Sequence, residues 1–385
     1  PSFGTDNNRI FLTRAKSDAG GDNRQLYSID LDGNDERVHF SGKWATDFCL
    51  SPDGKWIAFI ERFNVYIAPF IKTGKVITVG PGAKSLPLKK VSSGAGEWIH
   101  FSGDSKRLHW SLGPTLFTRE LTDTFAFLQG APDELPEPET TGINVGFKSN
   151  HHRPRGTLAL VGGRIVTMSG DQVINDGVIV IKGNRISAIG KRDDVEIPAN
   201  ANKIDVSGQV ILPGFVDTHA HGAQARGGIT PQQNWVDYAR LAFGVTTVHD
   251  PSNSTQDIFA ASEMTKAGVI IAPRTFSTGT ILYGAEGSYK AEIASKKDAV
   301  FHLKRMKAVG AFSVKSYNQP RRDQRQQVVE AARELKMMVV PEGGSLFMHN
   351  MTMIVDGHTG IEHTLPVEMI YDDVLDLWRG AGVGY

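Results

Sequence analysis

The hydrophobic pattern of this chain changes period near residue 210, and that change limits the folds open to it. Before it, apolar residues fall in short alternating runs, such as residues 25–30 and 55–60, separated by turn residues. That is the pattern of strands with one buried face. After it, strand-like apolar runs at residues 244–248, 269–272, 310–315 and 337–340 alternate with helical stretches at 298–308 and 324–335. Repeated strand–helix alternation predicts a parallel α/β arrangement. With 385 residues, the chain is long enough for two or three cores and reads as multidomain.

Residues 1–125 read as β-only. The run Ser51-Pro52-Asp53-Gly54-Lys55-Trp56-Ile57 returns in looser form as Ser102-Gly103-Asp104-Ser105-Lys106-Arg107-Leu108. A tight turn feeding a strand, repeated at about 50 residues, points to propeller blades. The region resembles the β-propeller repeats of TolB-like proteins, but holds only two or three blades where a closed ring needs at least four. A partial propeller, cut at its N-terminal side, is therefore expected. Residues 126–156 read as a linker, because proline and acidic residues cluster at 131–139 and disfavour regular structure. The basic run 151–155 reads as a solvated loop, with anion or metal binding as the alternative. Residues 157–210 form a second β-unit of short strands punctuated by Gly-Gly, Asp-Gly and Gly-Asn.

Forty-two basic residues balance 42 acidic ones, so composition implies no attraction to nucleic acid or an anionic membrane. Cys49 stands alone, which excludes an intrachain disulfide. No uninterrupted apolar stretch reaches the roughly 18 residues of a membrane-spanning helix.

The run 210–218 ends in His219-Ala220-His221. Read as one buried strand, it puts both imidazoles on the same side, since side chains alternate with period two. Two imidazoles so placed suit one divalent metal ion, although an isolated His-x-His is equally compatible with a structural role. Together with Leu212-Pro213-Gly214-Phe215-Val216-Asp217 and Gly244-Val245-Thr246-Thr247-Val248-His249-Asp250, the pair resembles the amidohydrolase superfamily, in its imidazolonepropionase- and prolidase-like branch. The resemblance runs from about residue 158 to the end. It implies a small β-sandwich at 157–210, followed at 211–385 by a metal-dependent (β/α)8 TIM-like barrel with ligands at the C-terminal strand ends.

Under that resemblance His219 and His221 match the first-strand ligand pair, Lys315 the fourth-strand lysine and His363 the sixth-strand histidine. Lys315 would bridge two metals if carboxylated; its other reading is a lysine paired with a carboxylate. Glu342 departs from the family pattern, which has a fifth-strand histidine. A carboxylate is itself a competent zinc ligand, and Glu342 could instead bridge metals with Lys315 as its cationic partner. His249, Asp250 and Tyr317 are candidates for substrate contact, with a supporting role open for the first two and a surface role for Tyr317 and its neighbour Arg321. His349 and His358 are weaker candidates. Asp372, Asp373 and Asp376 read as a solvated helix face.

The resemblance implies one or two divalent ions, zinc foremost, and hydrolysis of an amide, cyclic amide or dipeptide-like C–N bond by an activated water. No catalytic acid is assigned, because the eighth-strand aspartate would lie beyond Tyr385. About six barrel strands are present, so the fragment is expected to be inactive by itself. A single-metal deaminase of a ring amidine is the alternative chemistry. A non-catalytic binding or assembly protein, with a protein partner on the propeller, is the alternative class. A small-molecule or short peptide-like substrate, self-association, and a periplasmic or secreted setting complete the expectations.

Overall fold

The computed structural model describes residues 1–5, 7–18, 21–344 and 346–385. The chain divides into two compact units, Pro1–Phe147 with Thr278–Tyr385, and Lys148–Ser277.

In the first unit, residues 1–147 form three antiparallel-rich sheets, with Ile77–Val79 returning to the first after most of the second has formed. The first holds Ser2–Phe3, Arg9–Asp18, Gly21–Asp30, Arg37–Gly42 and Ile77–Val79. The second holds Ala45–Leu50, Trp56–Glu61, Asn64–Pro69 and Lys89–Lys90, and the third Glu97–Phe101, Arg107–Leu112, Thr115–Glu120 and Ile143–Asn144. Among the described residues these sheets do not close a propeller ring. The repeated sequence makes the same turn twice. Ser51 Oγ donates to Asp53 Oδ1 at 2.6 Å and accepts from the Trp56 amide at 3.0 Å. Ser102 Oγ likewise donates to Asp104 Oδ1 at 2.5 Å and accepts from the Arg107 amide at 3.0 Å. The Asp53 amide also donates to Ser105 Oγ at 2.9 Å, tying one turn to the other.

Two apolar cores lie among these sheets. Trp56, Val65, Ile67, Leu108, Trp110 and Phe125 form one, and Phe40, Ile57, Phe59, Ala68 and Phe70 belong to the other. The hairpin between Trp56–Glu61 and Asn64–Pro69 turns on Arg62 and Phe63, both at positive φ (43° and 69°). A two-residue turn with both φ positive matches strand twist but normally uses Asn and Gly. Here Phe63 is held instead by packing. Its ring lies 3.7 Å from the Arg305 guanidinium and 5.7 Å from the His302 ring, both on the helix Lys296–Ala308.

The rest of this unit is α/β. Leu282–Tyr283, Ser313–Tyr317 and Met338–Pro341 make a parallel three-stranded sheet. The helices Lys296–Ala308, Arg322–Leu335, Phe347–Asp356 and Asp372–Ala381 intervene or follow. Ser295 caps the first of them with a reciprocal Ser295–Asp298 box.

The second unit begins with one five-stranded sheet where two facing layers were expected. Thr157–Val166 is its long central strand, irregular around Gly163, where its register shifts. That bend gives its two halves different parallel partners, Asn202–Asp205 and Val210–Ile211. A second parallel triplet follows, of Phe215–Asp217, Val245–Asp250 and Arg274–Ser277. The six α/β strands thus belong to two three-stranded sheets.

Three expectations change. Residues 210–218 are not one buried strand: Val210–Ile211 pairs in one sheet, Phe215–Asp217 in another, and Phe215 and Val216 are about three-fifths exposed (58% and 60%). Pro213 has no amide to donate, and Gly214 runs so close to Thr246 that a Cβ there would overlap its side chain. Residues 269–272 are not a strand; the ladder starts at Arg274, beyond the left-handed cap Gly268 and Pro273. Residues 361–363 form no ladder either. The Ile361 amide meets the Gly384 carbonyl at 2.9 Å, Gly360 bridges Gly384, and His363 turns to φ 68°.

Trp110, 1% exposed within its core, sets a stability test. Trp110→Ala should cost about 3–5 kcal/mol, read by circular dichroism as a lower denaturant midpoint for the β-rich transition.

Candidate metal centre

The eight sequence-selected site residues divide between the two units, four in each, and form two local clusters.

In the second unit, His219 and His221 lie in the loop just after the strand Phe215–Asp217. Asp217 Oδ1 accepts the His219 amide at 3.1 Å and shapes the turn. The two Nε2 atoms lie 3.1 Å apart, with the rings at 80°. His221 Nδ1 sits 3.3 Å from Asp250 Oδ1. Asp250 is itself buried, and accepts from the Ser252 amide at 2.9 Å and Asn253 Nδ2 at 2.7 Å. A carboxylate at Nδ1 keeps that nitrogen protonated and leaves the Nε2 lone pair of His221 facing His219. Two imidazoles on one tetrahedral zinc, at roughly 2.0–2.1 Å each, would hold their nitrogens about 3.3 Å apart. The pair therefore fits two positions around a divalent ion.

Asp250 thus acts on His221 in this arrangement. The adjacent His249 places Nδ1 3.3 Å from the Thr218 carbonyl. Sequence reasoning missed two helpers. Asp217 sets the turn, and Arg240 donates from Nη2 to the His221 carbonyl at 2.8 Å while Nη1 meets Asp237 at 3.2 Å. Asp217 lay within the quoted motif; Arg240 carries no motif signal.

In the first unit, Lys315 lies within Ser313–Tyr317 and Glu342 follows Met338–Pro341 in the neighbouring strand. Lys315, 2% exposed, places Nζ 2.6 Å from Glu342 Oε2. The contact is close enough for an ion pair, yet buried Oε2 meets no hydrogen-bond geometry. His363 Nε2 lies 2.9 Å from the other oxygen, Oε1. Gly343 permits this: a Cβ there would overlap the Glu362 carbonyl oxygen, so any larger residue would push Glu342 away from His363. The Tyr317 ring centre is 5.5 Å from Lys315 Nζ. Burial first, then the Glu342 charge, raises the Tyr317 phenol above its usual range. A cavity of about 310 Å³, lined by Ser316, Gln319, Arg325, Glu342 and His349 among others, opens beside the carboxylate.

Only Glu342 and His363 carry lone pairs that could hold a divalent ion here; Lys315, as an ammonium, pairs with the carboxylate instead of ligating. Among the described residues, however, no three His, Cys, Asp or Glu side chains converge on one point as a ready metal cage. The remaining candidates fall away from both clusters. His358 is buried, with Nδ1 3.0 Å from the Met353 carbonyl. Arg321 pairs with Asp323 at 3.1 Å in solvent, and Asp372, Asp373 and Asp376 are exposed.

Parts of the chain are similar to known enzymes. A 5-methylthioadenosine/S-adenosylhomocysteine deaminase of Symbiobacterium thermophilum is 39% identical over 67 residues, 17% of this chain and 15% of that protein. A dihydroorotase of Trichlorobacter lovleyi is 30% identical over 149 residues, 37% of this chain and 34% of that protein. The chain thus spans at most about a third of the length of these two curated relatives. A solved Xaa-Pro dipeptidase with methionine in its active site is 20% identical, with a TM-score of 0.49 over 59% of this chain and 66% of that one. No protein-family model matches. The curated matches support the resemblance to the amidohydrolase superfamily. No helix among the described residues is long and apolar enough to cross a membrane.

Two outcomes follow from this geometry. Gly343→Ala should displace Glu342 and weaken metal uptake, measured by competition against a chelator. Burial lowers the His358 pKa from 6.5 to about 4, so its stabilising share is full above about pH 6.5 and is lost as pH falls towards 4. That share is on the order of 3 kcal/mol. Urea midpoints across pH 7 to 4 should show the loss, and His358→Gln should flatten it.

Proposed function

We propose that this chain carries the metal-binding part of an amidohydrolase that hydrolyses a carbon–nitrogen bond in a small or short peptide-like substrate. The observation that carries the reading is the 3.1 Å approach of His219 Nε2 to His221 Nε2, backed by Asp250 at the far nitrogen of His221. Lys315, Glu342 and His363 are proposed as ligands or bridging groups, and His249, Asp250 and Tyr317 as groups that meet or orient the substrate. The local likeness to a deaminase and a dihydroorotase supports the same class of bond.

A divalent ion, zinc foremost, would supply Lewis acidity, polarising a carbonyl and making a water more acidic. The chain's own residues do the rest. His219 and His221 offer two nitrogens from one loop, a bite fixed by the turn that Asp217 caps. Asp250 holds the proton on His221 Nδ1 and so keeps Nε2 available as a donor of electrons. Glu342 offers Oε2, with Lys315 balancing its charge and His363 holding Oε1.

The Lys315–Glu342 contact favours a second reading of that cluster. In it Lys315, 2.6 Å from Glu342, is the cationic partner of that carboxylate. The alternative chemistry is a single-metal deaminase of a ring amidine, a branch whose sites lack the strand-end lysine. Residues 1–125 are proposed as a partial TolB-like propeller that offers a surface to a partner.

Metal analysis of the purified protein tests the reading. One or two zinc ions per chain are expected. His219→Ala should lower retention by tenfold or more, and Glu342→Gln should weaken it less if only one ion is bound. Metal content unchanged in His219→Ala would sink the ligand assignment.

A further inference from the structure

The cavity of about 310 Å³ beside Glu342 has a second charged end. Part of its wall is the loop that carries the chain from the strand Ser313–Tyr317 into the helix Arg322–Leu335. The Ser316 carbonyl accepts the Glu342 amide at 2.9 Å, and the Gln319 carbonyl accepts Arg325 Nη1, also at 2.9 Å. Those two anchor points are at most about 10 Å of extended chain apart. A carboxylate residue and a guanidinium are thus tied to opposite ends of one short loop, and both line the cavity.

The polar groups that reach this cavity lack protein partners. Arg325 is 6% exposed: Nη1 is taken by Gln319 and Nε is buried, whereas Nη2 is neither bonded nor sealed among the described residues. The Ser316 hydroxyl, on a residue 3% exposed, is likewise unbonded and unsealed. With so little surface elsewhere, Ser316 opens onto the cavity it lines. Asn318, at φ 51°, and His349 line the same cavity with their side chains unengaged. Burial first, then the Arg325 charge, lowers the His349 pKa, so its neutral ring offers one N–H.

The acidic groups nearby are already matched. Glu342 places Oε2 2.6 Å from Lys315 and Oε1 2.9 Å from His363. Asp356, whose charge acts on Arg325, is held by Arg322 at 2.7 Å and by Gln326 at 2.9 Å. Asp323 pairs with Arg321 at 3.1 Å. A ligand therefore meets one guanidinium nitrogen, a hydroxyl, an amide and an imidazole. That set of donors suits a carboxylate, and the volume suits a small molecule.

We propose that this cavity holds the free carboxylate of the substrate, with Arg325 Nη2 matching its charge and Ser316, Asn318 and His349 completing its hydrogen bonds. The inference rests on the proposed hydrolysis of a carbon–nitrogen bond and narrows the substrate to an N-acyl amino acid. The acyl end then lies towards Glu342.

Titration calorimetry of the whole protein with three probes tests this. N-Acetyl-L-alanine carries both the amide and the carboxylate. Its methylamide replaces the carboxylate by a neutral group of similar size, and acetate supplies a carboxylate alone. N-Acetyl-L-alanine should bind at least tenfold more tightly than either of the others. Arg325→Met should weaken it by about tenfold to a hundredfold, the range for a hydrogen bond to a charged group, and leave the methylamide unchanged. Asn318→Gly suits the positive φ and should weaken the acid alone, which keeps the test alive if Arg325→Met does not fold. Equal binding of acid and methylamide, acetate as tight as N-acetyl-L-alanine, or no binding of the acid would each overturn the carboxylate site. These readouts are separate from zinc retention in His219→Ala, which bears on the metal assignment alone.

Discussion

The contact between Phe63 and Arg305 ties the strained hairpin of the larger unit to its helix Lys296–Ala308. Arg305 is almost wholly buried, and burial lowers its pKa to about 10. Its Nε and Nη2 have no hydrogen-bond partners, and the guanidinium lies 3.7 Å from the centre of the Phe63 ring. A desolvated cation over an aromatic face gains about 2 kcal/mol or more. That is comparable with the roughly 1–2 kcal/mol per residue that Arg62 and Phe63 lose by adopting positive φ. The contact thus offsets part of the cost of the turn, against the cost of two buried guanidinium donors left unpaired. Residues more than 200 positions apart in sequence meet there.

The same economy governs the two chemical clusters. In each, a carboxylate sets what a neighbouring nitrogen can do. Asp250 faces His221 Nδ1 and is fixed in turn by Ser252 and Asn253. Glu342 is shared between Lys315 and His363, and can reach both only because Gly343 has no side chain. Charge is neutralised locally before any ligand arrives, which preorganises the donors at the cost of making them compete with their own partners.

How much of this was legible in the sequence depends on the range of the forces involved. The bonds inside the turn at Ser51–Gly54 and inside its echo at Ser102–Ser105 stay within six residues, so the repeat announced them, whereas the Asp53–Ser105 bond that ties the two turns together is long-range. The change to strand–helix alternation was also readable, and the helices Lys296–Ala308 and Arg322–Leu335 begin within two residues of where periodicity put them. The run 210–218 was misread because its apolar residues promise burial, while Pro213 and the approach of Gly214 to Thr246 break the ladder. Residues 269–272 failed for a similar reason, with Gly268 and Pro273 outweighing the β-branched side chains. At the candidate site, the His219–His221 pair was legible as a motif, but its setting was not, since a loop turned by Asp217 and not one strand brings the rings together. The Lys315–Glu342–His363 grouping needs the pairing of neighbouring strands and a chain crossing at Gly343, neither of which a single sequence displays. Arg240 and the Arg325 cavity were invisible, since they depend on contacts between distant segments with no motif.

The hydrogen bond from the Asp53 amide to Ser105 Oγ has an implication for how such a chain can change over generations. A duplicated segment ordinarily frees each copy to drift. Here the second copy's serine completes the first copy's turn, so a substitution at residue 105 is felt at residue 53. The two copies are bound to a shared history, and lengthening or shortening the array by a whole copy would have to recreate that interlock at each new junction.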